Sequence, residues 1–413
     1  MKNANRDGLS YRKGVLVVAG LWACFTLSAA APQDVPPLMK AAAGAAISSS
    51  AEWERLRRPE ILKTFETQVF GVRPVERPKS LRFETVIVRR DALLSTAVLK
   101  RVKLSWSGPR GSQSIIVTAF FPVSAQKSPA PCFLFLSPDG SVIGSQRLHR
   151  DRQVCTDSID ERWPVQQMIK RGYAAVAFDA TDVAEDDYNA FKADVFGCFQ
   201  DPEDRTSESW GAISAWAWGA SRVMDWLETE SLADAKHVAV VGLSHFGKAA
   251  LWAGATDRRF AMTCASGAGT CGAKLNRIKL KDAETLCQVA RFRHWFCRNF
   301  DKWAGKEWTS PFDQHWMLSL VAPRLLCLVS AAGDPESGPE GEFCAARLAS
   351  PAWELYGRKG LDSASFPQAG FPLQEGCISY HVRDGKRDLR LTDWNRFMDF
   401  ADRHGWRKER TTR

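Results

Sequence analysis

The sequence predicts an α/β fold: a mostly parallel central sheet that begins with antiparallel strands and carries helices on both faces. Three observations support it. The short continuous apolar runs CFLFL (132–136), AAVAF (174–178), HVAVVG (237–242) and RLLCLVS (324–330) have the length and content of strands buried on both faces. Helical segments lie between them, WPVQQMIKRG, SWGAISAWAWGASRVMDWLETES and GKAALWAGA, so strand and helix alternate as parallel crossovers require. Before them, FETVIVRR, VLKRVKLSW and SIIVTAFFP alternate apolar with polar residues in the antiparallel manner.

Taken from the N-terminus, basic residues Lys2, Arg6, Arg12 and Lys13 precede the apolar run GVLVVAGLWACFTLSAAA, which ends in small residues and is followed by PQDVPP. This is the layout of an export leader over 1–31, with a secreted or periplasmic product that has no membrane span after cleavage. A flexible arm is expected over 32–50. The helical spacing of SAEWERLRRPEILKTFETQVFG opens one α/β domain over 51–405, and a basic tail closes the chain at 406–413.

With 45% hydrophobic and 25% charged residues among 413, the composition excludes disorder, collagen and coiled coil. The net charge of +9 falls to about +6 once the leader's four basic groups and one acid are removed. Lys and Arg are dispersed, so no nucleic-acid partner is expected, and the mature protein is expected to be a monomer. Of eleven cysteines, ten follow the leader; none makes a C-x-x-C or Cys/His zinc pattern, and Cys132 and Cys327 sit in apolar runs that suit buried thiols. No metal or cofactor is expected. Trp216, Trp218 and Trp226 belong to a helix that is apolar nearly all round and are read as core.

The most informative stretch is KHVAVVGLSHFGKAALWAGATDRRF, a buried strand, a turn containing Gly242, Ser244 and Gly247, and a helix. Such a turn lifts a serine above the C-terminal edge of the sheet and aims the next backbone N–H at a developing oxyanion. The spacing is G-x-S-x-x-G, so the surrounding strand and helix carry more of the argument than the string itself.

This stretch, together with RRPEIL, SWGAISAWAWGASRVMDWLET, HWFCRNF, PFDQHWMLSLVAPR, GPEGEF and DWNRFMDFADRH, resembles the glucuronoyl methylesterases from about Trp53 to His404. The resemblance implies an α/β-hydrolase fold, a Ser-His-acid triad, no metal, and a shallow site for a glucuronate sugar on a polysaccharide or small ester. It implies Ser244 as nucleophile, Asp334 as acid, and Lys248, Glu284 and Gln314 as substrate-binding residues, with His315 in the matching DQH segment. Glu336, also expected among the substrate-binding residues, stands where members often carry a sugar-stacking Trp, and Ala265 where some carry an alternative acid. The arginine that members place after the serine to steady the oxyanion is His245 here. The histidine that serves as their base is Arg387, which leaves His381, in strand-like ISYHVR, as the candidate base. A guanidinium cannot take a proton from serine. The expectation is therefore a serine esterase of glucuronic acid esters working through Ser244, His381 and Asp334. Two alternatives stand beside it: a carbohydrate-binding descendant with impaired catalysis, and an esterase for another acyl group.

Overall fold

The computed structural model describes residues 34–74, 76–137 and 161–407; the leader and most of the basic tail lie outside them. Nine strands form one sheet in the order β1-β2-β3-β5-β4-β6-β7-β8-β9. β1 (Arg82–Asp91), β2 (Ala97–Gly108) and β3 (Gly111–Pro122) form an antiparallel meander whose last strand pairs antiparallel with β5. From there β5 (Ala174–Asp179), β4 (Ala130–Ser137), β6 (Ala233–Leu243), β7 (Met262–Ser266), β8 (Leu325–Ala331) and β9 (Ile378–Arg383) run parallel. All residues of β4, β5, β7 and β8 are buried, which is why they read as unbroken apolar runs.

Five helices matter for the site: α1 (Arg58–Phe65), α2 (Ala212–Leu227), α3 (His245–Thr256), α4 (Pro339–Ala349) and α5 (Leu391–Arg403). Every residue of α2 is buried, and Trp216, Trp218 and Trp226 pack in the core as their helix predicts. Trp218 meets Trp106 of β2 edge to face with centroids 5.0 Å apart. Among the described residues no helix is long and apolar enough to cross a membrane. The nine described cysteines are free thiols, and all but Cys287 are buried.

One expectation is corrected here, and the antiparallel strand read in FETVIVRR is found as β1. Residues 34–49 do not form a loose arm: the Pro36 carbonyl accepts hydrogen bonds from His315 Nε2 at 3.0 Å and Trp316 Nε1 at 3.2 Å, Arg57 Nε donates to the Leu38 carbonyl at 2.8 Å, and Leu38 and Ile47 are buried. Their polar sequence hid side-chain donors supplied from far along the chain. β1 alternates apolar and polar residues yet is almost wholly exposed, because it is the outer strand of the meander and no helix covers it. Its arginines and glutamate keep such an edge from pairing with another chain.

Candidate active site

The parallel strands all end at one edge. Leu243 of β6 pairs with Ser266 of β7, Ser266 with Val329 of β8, and Val329 with His381 of β9, so the loops after β6, β7, β8 and β9 emerge side by side. In an open α/β sheet that edge is where chemistry sits.

Ser244 stands between β6 and α3 with φ 56° and ψ −125°, a strained conformation for a residue with a side chain. The bend is tight: a Cβ at Gly242 would lie 2.0 Å from the Phe246 carbonyl oxygen, so only glycine fits there. Ser244 N–H is tied to the Ser266 carbonyl at 2.8 Å, and the Ser244 carbonyl accepts the Lys248 N–H at 3.1 Å as the first turn of α3 closes. The amides at the start of α3, beginning with His245, have no partner within the helix.

Arg387 comes from the loop after β9 and lies against the serine. Its Nε and Nη2 grip both Asp334 oxygens at 2.8 and 2.9 Å, Nη2 also reaches Glu336 at 2.8 Å, and Nη1 points to Ser244 Oγ at 3.5 Å. Burial would lower the Arg387 pKa, but hydrogen bonds and charge from Asp334 outweigh it and raise the pKa above the usual guanidinium value. Asp334 is 5% exposed. Burial would raise its pKa, yet Arg387 and Ser337, whose hydroxyl donates to Asp334 Oδ2 at 2.5 Å, hold it below the usual carboxylate range.

The Arg387 loop is braced. Arg383 donates to the carbonyls of Lys386 and Asp388 at 2.6 and 2.9 Å, Ser266 Oγ to the Asp388 carbonyl at 3.1 Å, and Gly333 N–H to the Gly385 carbonyl at 2.8 Å. Gly267, at φ +53°, leaves room for the arginine stem, since a Cβ there would lie 3.0 Å from Arg387 Cγ.

His381 is not brought to Ser244, which corrects the expected base. It lies inside β9 rather than in the loop beyond, and its Nε2 is 3.1 Å from Asp393 Oδ1 on α5. Asp393 also accepts from Arg383 Nε at 3.1 Å and the Arg390 N–H at 2.8 Å. Strand alternation puts the neighbouring Tyr380 on the opposite face, where its hydroxyl meets Ser330 and the Pro339 carbonyl. Of the six histidines among the described residues none hydrogen-bonds the serine; His149 lies outside them.

His245 does not aim an arginine-like donor at the oxyanion position. Its ring stacks on Trp295, with centroids 4.9 Å apart and planes 14° apart, and Nε2 lies 3.2 Å from Asp186 Oδ2, too oblique for a hydrogen bond. Asp186 also faces His294 Nε2 at 2.8 Å and Trp295 Nε1 at 2.6 Å. Burial would raise the Asp186 pKa, but these partners hold it well below the carboxylate range. Relative to the pattern the resemblance implies, imidazole and guanidinium have exchanged places around the serine.

Lys248 is buried, donates to the Ala268 carbonyl at 2.7 Å and has its Nζ 3.9 Å from Glu284 Oε2, with burial lowering its pKa. Glu284 is half-buried beside the Glu336 backbone, its N–H donating to that carbonyl at 2.8 Å. Gln314 is fully buried, with its side-chain amide spent on the Gly272 carbonyl at 3.0 Å and on Asn276 at 3.3 Å. His315 is likewise buried, and burial pushes its imidazole down to about 3, so it stays neutral. Sequence reasoning missed Asp186, Ser337, Arg383 and Asp393. Asp186 lies in a polar loop without a motif, and only its partners, in HWFCRNF, stood out. Among the described residues no group of three or more His, Cys, Asp or Glu could hold a metal ion.

Comparison with known proteins shows what the chain is similar to. A family model described as glucuronyl esterase, fungi, matches residues 159–357. The carbohydrate esterase MZ0003, from an unknown prokaryotic organism, is 32% identical over 393 residues, spanning 87% of this chain and 87% of that protein. A glucuronoyl esterase from Solibacter usitatus superposes with a TM-score of 0.81 at 33% identity, covering 90% of this chain and 98% of that one. A promiscuous CE15 esterase from a marine bacterial metagenome does so with a TM-score of 0.80 at 30% identity, covering 91% and 98%.

Proposed function

The chain belongs to the glucuronoyl esterase family, carbohydrate esterase family 15, and we propose that its site recognises the carboxyl group of a glucuronic acid unit through Arg387 and turns over the corresponding esters slowly. The relatives support glucuronic acid esters as the substrate class. One observation carries the finer reading: a guanidinium clamped by Asp334 occupies the place beside Ser244 where a proton acceptor is needed. A serine hydroxyl attacks an ester as its proton leaves, and Arg387 only donates. The same group suits the acid. With Nε and Nη2 engaged, the Nη1 donors remain for one oxygen of a carboxylate seated over Ser244, while the other oxygen faces the amides at the start of α3. Lys248, one helical turn after Ser244, and Glu284, 3.9 Å from its Nζ, are the groups placed to meet sugar hydroxyls. The leader over 1–31 supports an exported protein.

A second reading is favoured by the Asp186–His245 contact. In it the roles have moved with the residues: His245 takes the Ser244 proton, the serine oxygen adds to the ester carbonyl, Arg387 steadies the oxyanion, and the alcohol departs with the proton. Hydrolysis of benzyl glucuronate by the wild type, Ser244→Ala and His245→Ala separates the two. The first reading predicts wild-type turnover at least about 10³-fold below the usual range of roughly 1–10³ per second. Ser244-dependent turnover within that range would overturn it, and loss of that turnover in His245→Ala would put the second reading in its place.

A further inference from the structure

A second pocket, of about 350 Å³, opens between the segment that follows β5 and the 293–301 segment. A chain of three side chains links its wall to the residue after the serine: Phe191 lies 5.9 Å from the His294 ring, His294 binds Asp186, and Asp186 meets His245. Its walls are aromatic, from Tyr188, Phe191 and Phe296, and its charged groups are mostly cationic, from Lys192, Arg205, Arg293 and Arg298, with the neutral hydroxyls of Thr206 and Ser209 beside them. The single carboxylate in the lining, Asp301, is already bound to Arg293.

Arg205 is the informative member. Its guanidinium lies over the rings of Phe196 and Phe191, 4.9 and 5.4 Å from their centroids, and Nη2 donates to the Trp210 carbonyl at 2.6 Å. Its Nη1 is buried with no hydrogen-bond partner among the described residues. Burial, with Arg298 close by, pushes its pKa down to about 10. A buried unmet donor is costly, and the neighbouring Arg298 is exposed with no carboxylate partner among the described residues, so an anion here would answer charge that the protein leaves unbalanced. The volume matches one sugar ring, and aromatic walls with forked cations match a ring that carries a planar or tetrahedral oxyanion.

We infer that this pocket binds an anionic sugar unit, one bearing a carboxylate or a sulfate ester. The pocket's chemistry stands by itself; only its occupation by the same polymer that fills the Ser244 site rests on the proposed function.

Calorimetric titration tests this in an Arg387→Met background, which removes the carboxylate contact at the serine so that the two sites are read apart. The probes are a galacturonate trimer, a sulfated chondroitin disaccharide and neutral xylotriose. At least one acidic probe is expected to bind, more weakly as salt is raised, and xylotriose to bind at least about tenfold more weakly. Adding Arg205→Met or the exposed Arg298→Ala is expected to cost about tenfold or more in affinity, the range of a lost charged hydrogen bond. Whichever acidic probe binds more tightly identifies the oxyanion. Equal binding of xylotriose, no binding of either acid, or affinity unchanged in Arg298→Ala would overturn the inference; Arg298→Ala decides if Arg205→Met fails to fold.

Discussion

Replacing Arg387 by histidine puts an imidazole back at the family's base position, and the structure sets how much activity should return. Losing the histidine of a comparable triad costs about 10⁶ in rate. Asp334 is already oriented by Ser337 and the braced loop, so it can receive an imidazole N–H where it now receives Arg387. Reach limits the gain. The guanidinium Nη1 stops 3.5 Å from Ser244 Oγ, and an imidazole from the same backbone position ends roughly 2 Å shorter. A misplacement of about 1 Å can cost 10²-fold, and the oxyanion arginine is still missing at 245, which removes roughly another 10². The expected recovery is therefore about 10²-fold, or roughly 3 kcal/mol of barrier. Benzyl alcohol release from benzyl glucuronate reads it, with Arg387→His/Ser244→Ala as the control and a rate that rises as an imidazole deprotonates near pH 6.5. A variant no faster than wild type would refute the argument that the guanidinium is what withholds turnover.

Three further outcomes follow from the same geometry. Ser244→Gly should stabilise the protein by about 0.5–2 kcal/mol, since the left-handed serine conformation costs about 1–3 kcal/mol and glycine returns part as unfolded-state entropy; a lower urea midpoint than wild type would show the bend to be unstrained. Arg387→Met leaves the buried Asp334 carboxylate without its main partner and should cost about 2–3 kcal/mol at pH 7, somewhat under a fully buried pair because Arg387 is 28% exposed. Asp334 has a lowered pKa, so its contribution is present above the unfolded carboxylate value near 4 and is lost as pH falls through its folded value; the two proteins should converge in urea unfolding below about pH 4. Glu342 of α4 behaves oppositely: burial pushes it up to about 7, so stability falls as pH rises from about 4.5 to 7, by roughly 3 kcal/mol, and Glu342→Gln should remove that slope in urea unfolding at pH 5 and pH 8.

The sequence made some of this legible and hid the rest for physical reasons. Runs such as CFLFL and RLLCLVS revealed the parallel strands because burial on both faces leaves no polar positions, and the crowded Gly242 bend revealed the serine. β7 escaped notice: its five residues, MTCAS, include two polar side chains, Thr263 and Ser266, the second of which donates to the Asp388 carbonyl. The identity of Arg387 at the base position was visible as a residue type, but its grip on Asp334 depends on two loops whose partners lie 53 residues apart. His381 was a reasonable candidate by type alone, and only the side of β9 it occupies, set by a period of two, shows that it serves Asp393. Gln314 shows the converse, a matching segment whose amide folding had already used.

The central claim is that the group beside Ser244 reads a carboxylate rather than accepting a proton. Calorimetric titration of the wild type and Arg387→Met with glucuronate and with methyl glucuronate tests it most directly. A charged hydrogen bond worth about 1.5–3 kcal/mol predicts that the wild type binds the acid about 10–100-fold more tightly than the ester, and that the preference vanishes in Arg387→Met. Equal affinities in the wild type, or a preference that survives the substitution, would contradict it.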